Sequence, residues 1–198
     1  ERPERITVRV CDSLSCMLAG AEKLLAALGS EDLPDVRVVR APCVGACDVA
    51  PAAEVGHRHV PKATVAKIRK LVDKNETDAQ IPKYQSLAAY RSEGGYAVLG
   101  ECLAGTRPVD KIIATLSDGG LRGLGGAGFP TGRKWRSVLG EPGPRLMAVN
   151  ADEGEPGTFK DRWILEHAPH LLVESMLITS YALGVRNAFV YIRGEFDR

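Results

Sequence analysis

Four of the five cysteines in this 198-residue sequence fall in two short clusters, Cys11-x4-Cys16 and Cys43-x3-Cys47. Thiolates are soft ligands, and four of them drawn from two loops can converge on one metal centre. Structural zinc sites favour cysteine pairs about two residues apart, because that spacing makes a tight knuckle with both sulfurs on one ion. The wider spacings here suit a [2Fe–2S] cluster better, since each of its two irons needs its own pair of thiolates. Val44, Gly45 and Ala46 are small enough to let backbone N–H groups approach the sulfurs. A structural zinc ion and unrelated buried thiols are the alternatives. Disulfides are disfavoured in a reducing compartment. Cys102 lies apart, in a helical stretch with Leu99 and Leu103, and reads as a core thiol.

Two further stretches could bind a ligand. Gly123-Leu-Gly-Gly-Ala-Gly128 formally satisfies G-x-G-x-x-G. It does not follow a strand: Asp110 to Ser117 has helical spacing at Ile112, Ile113 and Leu116, and Pro130 is expected to interrupt the stretch after the glycines. An ordinary dinucleotide fold is therefore rejected. A loop so poor in side chains can still aim several N–H groups at an anion or a planar ring, with Arg133 and Lys134 adding positive charge. The alternative is an exposed flexible loop, against which Phe129, Pro130 and Trp135 argue. The second stretch, Asn150 to Gly157, carries Asp152, Glu153 and Glu155 at the end of a strand, where α/β sheets bind ligands. Three carboxylates would repel phosphate and suit neutral donors such as ribityl hydroxyls, ring N–H groups or a carboxamide. A calcium loop competes, but the spacing does not follow the EF-hand pattern. The four histidines make no catalytic constellation. His57 and His59 are expected to be exposed, His167 and His170 flank a break at Pro169, and none is assigned a role.

The elements that would position these residues can be read from periodicity. Ile6 to Val10 alternates as a strand, Cys16 to Leu28 keeps helical spacing with Gly29 as its stop, and Val36 to Arg40 is a second strand. Pro42 to Pro51 is a breaker-rich loop, Ala52 to Val55 a short strand, and Thr64 to Val72 a helix. This β-α-β-β-α order looks thioredoxin-like. Polar residues 75–83 read as a linker between a domain at 1–74 and a second at 84–198. In the second, helices are expected at 97–103, 108–116, 158–166 and 170–183. Strands are expected at 146–149, buried, and at 188–192.

With 26 Lys and Arg against 25 Asp and Glu, the formal charge of +1 gives no global argument for binding nucleic acid. Hydrophobic residues at 44% and charged ones at 26% predict a packed core. No apolar run is long enough to span a bilayer, and Glu1-Arg-Pro-Glu-Arg5 carries no secretory pattern, so a cytoplasmic location is expected. The chain lacks an initiator Met and stops just after a strand, and it reads as cut at both ends.

Longer strings carry a resemblance. Cys11-Asp-Ser-Leu-Ser-Cys16 and Ala41-Pro-Cys-Val-Gly-Ala-Cys47, followed by Ala50-Pro51, resemble the thioredoxin-fold [2Fe–2S] domain of the 24-kDa type subunit of NADH:quinone oxidoreductase (complex I). That resemblance assigns Cys11, Cys16, Cys43 and Cys47 to the cluster. The stretch Gly120 to Trp135 resembles the flavin signature of the 51-kDa type subunit. Asn150 to Asp161 is similar to its second signature, and Tyr191-Ile-Arg-Gly-Glu195 to a third. By resemblance Gly123, Gly125, Gly126, Lys134, Asn150, Asp152 and Glu153 contact FMN, while Phe129 and Glu155 face NAD. Leu124 departs from the usual Arg and removes one polar flavin contact. Ser137 stands where the family can carry an aromatic.

The implied fold is α/β, a thioredoxin-like [2Fe–2S] domain followed by part of a 51-kDa-like flavin-binding domain. A further [4Fe–4S] set is expected beyond Arg198. Cluster and flavin domains fused in one chain, with Gly-Leu-Gly in place of Gly-Arg-Gly, resemble the β (diaphorase) subunit of NAD-dependent formate dehydrogenases that use molybdenum or tungsten. The expected role is to pass electrons from formate oxidation, through clusters and FMN, to NAD⁺ in a hetero-oligomer with a metal-pterin α subunit. The alternatives are the equivalent subunit of an NAD-reducing hydrogenase or of complex I, an iron–sulfur carrier only, and a zinc scaffold.

Overall fold

A computed structural model describes residues 6–196. Glu1 to Arg5, which carry no secretory pattern, and Arg198, the expected cut end, lie outside the described residues. The chain divides into two compact units that do not follow chain order. One takes the residues up to Lys83, Ala151–Glu166 and the segment from Ile192; the other takes Tyr84–Asn150 and His167–Tyr191.

The first unit is built on a four-stranded sheet of β1 (Ile6–Cys11), β2 (Val36–Ala41), β3 (Ala53–Val55) and β4 (Arg58–Val60), in the order β2-β1-β3-β4. Strand β1 is central, parallel to β2 and antiparallel to β3. Its alternation buries Ile6, Val8 and Val10 while Thr7 and Arg9, on the opposite face, are half-buried. Helices α1 (Leu14–Leu18), α2 (Ala21–Gly29) and α3 (Val65–Asp73) complete this part, and Ala21, Leu24, Leu28 and Ile68 share the core with the strands. Thr64 caps α3, its Oγ1 accepting from the Lys67 N–H at 3.3 Å.

The single helix expected over 16–28 is two helices. Gly20, at φ +95°, turns the chain where a side chain would be strained, so Cys16 sits in a separate short helix. Gly29 is the last residue of α2 rather than its stop, and β4 is too short and polar to show a period. Residues 75–83 count with the first unit, and the Thr77 carbonyl accepts from the His57 N–H at 2.8 Å.

The second unit carries α4 (Leu87–Ser92), α5 (Ala97–Leu103), α6 (Val109–Asp118), α7 (Thr131–Gly140), β5 (Arg145–Ala151), α9 (Pro169–Leu183) and β6 (Val185–Ile192). Helix α8 (Lys160–His167) belongs mostly to the first unit. Cys102, Ile112 and Ala182 are buried together against Trp135 and Ile178, so Cys102 is a core thiol. The Glu174 carboxylate, also buried, accepts from Tyr90 Oη at 2.5 Å and from the Tyr96 N–H at 2.9 Å.

Two expectations fail here. Pro130 does not interrupt the structure after the glycines. It occupies the N-cap position of α7, where a missing N–H costs no hydrogen bond. The strand expected to be buried, β5, alternates half-buried and exposed residues. It pairs only with β6 among the described residues, and Leu146 is 63% exposed.

Candidate functional site

The cysteines come together as two pairs. Cys11 ends β1, Cys16 lies in α1, Cys43 follows β2, and Cys47 opens a 3-10 turn, Cys47–Val49. All four are free thiols; Cys11, Cys16 and Cys43 are buried and Cys47 is partly exposed. The Cys43 and Cys47 sulfurs are 3.4 Å apart, and Cys11 and Cys16 are hydrogen-bonded to each other. That bond, outweighing burial, lowers the Cys11 thiol to about 5, while the same bond and burial raise Cys16. Burial also pushes the Cys43 thiol up.

Backbone donors surround the sulfurs. The Ala52 N–H reaches Cys16 Sγ at 3.4 Å and the Gly157 N–H reaches Cys47 Sγ at 3.1 Å. Backbone groups of Ser13 and Val44 hydrogen-bond Cys11, and Gly45 does so to Cys43. Among the described residues no three His, Cys, Asp or Glu side chains converge as a single-ion site. Two thiol pairs with N–H donors around them fit the demand of a two-iron cluster for two thiolates per iron.

Residues from the other stretches of this unit support the cluster loop. Arg162 on α8 donates from Nε to the Gly45 carbonyl at 2.7 Å, from Nη2 to Asp48 at 2.6 Å and from Nη1 to Glu166 at 2.7 Å. Gly45 sits at φ +72°, and a methyl there would collide with the Phe196 ring. The side chain of Arg193, just after β6, donates to the Glu153 carbonyl at 2.9 Å and to the Glu195 carboxylate at 2.8 Å. Sequence reasoning assigned no role to Arg162, Arg193 or Phe196. Arg193 lay inside the third signature, which was the one available signal.

The acidic loop belongs to this same unit from Ala151 onward. Glu153 is 3% exposed, and its carboxylate accepts from the backbone N–H groups of Asp161 at 3.1 Å and Arg162 at 3.3 Å, with Lys160 Nζ at 3.6 Å. It caps the first turn of α8. Asp152 and Glu155 are exposed.

The glycine loop belongs to the second unit. A bridge between Arg122 and Pro130, with the Gly123 N–H on the Phe129 carbonyl at 3.0 Å, closes it into a tight lobe that opens α7. Gly126 and Gly128 have φ of +98° and +61°, and a methyl on Gly125, Gly126 or Gly128 would meet nothing. A cleft of about 310 Å³ is lined by Gly123, Phe129, Lys134, Trp135, Met147 and Thr179 among others. The structure therefore brings Gly123, Phe129 and Lys134 to one cleft. Gly125, Gly126 and Asn150 belong to the same unit without lining it, and Asp152, Glu153 and Glu155 belong to the first unit. One ammonium and an aromatic wall suit a planar anionic ligand such as FMN.

His57 is exposed as expected. His59 is not: its Nε2 is buried, 3.6 Å from Glu54.

Comparison with known proteins defines the class. Residues 1–76 match the family model of the thioredoxin-like [2Fe-2S] ferredoxin, and residues 116–198 that of the Nuo51 FMN-binding domain. The chain is α/β, a thioredoxin-like [2Fe–2S] ferredoxin domain followed by part of a Nuo51 FMN-binding domain. The NADH-quinone oxidoreductase F subunit of Aquifex aeolicus is 49% identical over 118 residues, covering 60% of this chain and 27% of that protein. An F subunit of Rhizobium meliloti is 47% identical over 120 residues, covering 60% and 28%. A solved NAD⁺-reducing [NiFe]-hydrogenase in the H₂-reduced state superposes with a TM-score of 0.74 at 30% identity, covering 98% of this chain and 37% of that one. The chain thus spans about a quarter of the length of the curated relatives it matches.

Proposed function

We propose that this chain is the cluster-bearing and flavin-bearing part of an NAD-linked electron-transfer subunit, of the kind found in NAD⁺-reducing hydrogenases and in NADH-quinone oxidoreductase. The observation that carries the reading is the pair of thiol pairs with their ring of N–H donors, joined in one chain to a glycine lobe that opens on a cleft. When bound, the cluster supplies one-electron transfer, and FMN supplies exchange between single electrons and hydride with NAD.

The chain's own residues then have defined tasks. Cys11, Cys16, Cys43 and Cys47 hold the irons as thiolates. In the cleft, Lys134 draws the anionic part of FMN, the backbone at Gly123 lets the ring approach, and Phe129 covers it where nicotinamide would stack. Gly125, Gly126, Asn150, Asp152, Glu153 and Glu155 remain proposed contacts from the signature strings. A multi-subunit assembly fits this role, with the partner feeding electrons from hydrogen or, as the Gly-Leu-Gly string suggests, from formate at a metal-pterin centre. The likeness to the hydrogenase over nearly the whole chain favours the first.

Anaerobic reconstitution with iron, sulfide and FMN tests this. About two irons per chain, an EPR-active reduced cluster and bound flavin that NADH reduces are the expected result. A cluster without flavin would favour the carrier-only reading. A colourless zinc protein would overturn both.

A further inference from the structure

Given the reading of Cys11, Cys16, Cys43 and Cys47 as cluster ligands, on which this inference rests, we propose that Arg162 is a positioning residue for the cluster. Its guanidinium holds the Cys43–Cys47 loop in the form that presents both sulfurs to metal. Arg162 stands one residue beyond a string that resembles a flavin signature, yet it counts with the first unit.

Gly45 lies midway between the two cysteines, and Asp48 directly follows the second. Arg162 Nε donates to the Gly45 carbonyl at 2.7 Å and Nη2 to the Asp48 carboxylate at 2.6 Å, so one planar head grips the loop inside the pair and just past it. The head is itself held. Nη1 donates to Glu166, one turn further along α8, at 2.7 Å, and the Arg162 backbone N–H donates to the buried Glu153 carboxylate at 3.3 Å. The side chain is only 13% exposed, so water competes poorly for these bonds. The same segment sends a second donor, the Gly157 N–H, to Cys47 Sγ at 3.1 Å. Phe196 packs against Gly45 as well, and with the loop so held the two sulfurs stand 3.4 Å apart. Released from these contacts, the loop would sample many conformations, and ligation would carry the entropy of ordering it. A loop ordered beforehand avoids that cost and retains its metal longer.

Iron loss to excess chelator, followed in the reconstituted 198-residue chain beside the EPR spectrum of the reduced cluster, tests this. Arg162→Ala removes charge-assisted hydrogen bonds and should lose iron about tenfold faster than wild type. Its g values should shift, because the ligand loop no longer keeps one geometry. Arg162 lines a cavity of about 330 Å³ beside Phe196, so millimolar guanidinium, far below denaturing concentration, should enter the vacated space and slow the loss again. Arg162→Lys, a point charge in place of a fork, should fall between Ala and wild type. A wild-type rate in Arg162→Ala overturns the proposal. So does faster loss that keeps wild-type g values and ignores guanidinium, which is a general loss of stability. If Arg162→Ala does not fold, Asp48→Ala decides: faster loss with shifted g values supports the grip, and a wild-type rate overturns it. Wild type without a cluster removes the ligand reading itself, whereas a cluster indifferent to Arg162 removes only the positioning role.

Discussion

Glu153 lies in a string that reads as a flavin contact, yet its carboxylate is engaged with the first turn of α8. Two backbone N–H groups at a helix start are unsatisfied within the helix, and a buried carboxylate there gains from both the hydrogen bonds and the helix dipole. Glu153→Gln should therefore lower stability by about 1 kcal/mol, measured by denaturant unfolding of the apo chain with and without the substitution. An unchanged midpoint would leave the carboxylate free for a ligand role. That the four cysteines come together was legible because a shared site demands a residue type at a workable spacing, and both survive in a one-dimensional string. Arg162 was not: its partner, the Gly45 carbonyl, is 117 positions away and carries no side-chain signature. The burial of His59 Nε2 was hidden for a similar reason, since β4 has only three residues and two of them are polar.

Among the elements, Arg145 at the start of β5 gathers the ends of two helices. Its guanidinium donates to the carbonyls of Val138 at 3.0 Å, Leu139 at 3.0 Å and Glu141 at 2.7 Å near the end of α7, and of Leu183 at 3.1 Å at the end of α9. The Val138 carbonyl also accepts from the Glu141 N–H at 3.2 Å, carbonyls at a helix end otherwise lack partners within the helix, and the positive charge suits the negative end of each dipole. Arg145→Ala should cost about 3 kcal/mol, and thermal unfolding would show it; a loss of a few tenths would mean that water replaces the guanidinium. The long helices and β1 were readable because their apolar residues repeat at the period of the element. Two boundaries were not. Gly20 breaks a helix whose apolar period runs on unbroken, and Pro130 starts a helix that its presence seemed to forbid. In both cases the backbone angle at one residue decided, and hydrophobic spacing does not encode that angle.

For the whole molecule, the two units are interleaved along the chain. A polypeptide ending at Lys83 retains all four cysteines but loses Gly157, Arg162, Arg193 and Phe196. A cluster assembled in it should bleach in air several times faster than in the 198-residue chain, followed by the decay of visible absorption; equal decay would show that these residues do not shield the site. That a thioredoxin-like [2Fe–2S] domain precedes part of a flavin-binding domain was legible from the signature strings. That parts of the later sequence pack with the first unit was not, because such packing rests on contacts such as Gly157 to Cys47, 110 positions apart.

This interleaving also orders events during synthesis. All four thiols leave the ribosome long before Arg162 and Arg193 exist, so they are made before the later segments that pack with them. Closing so long a loop afterwards adds little penalty, since the entropy of closure grows only with the logarithm of length. The first unit is thus completed only when the residues from Ala151 and from Ile192 onward have been made.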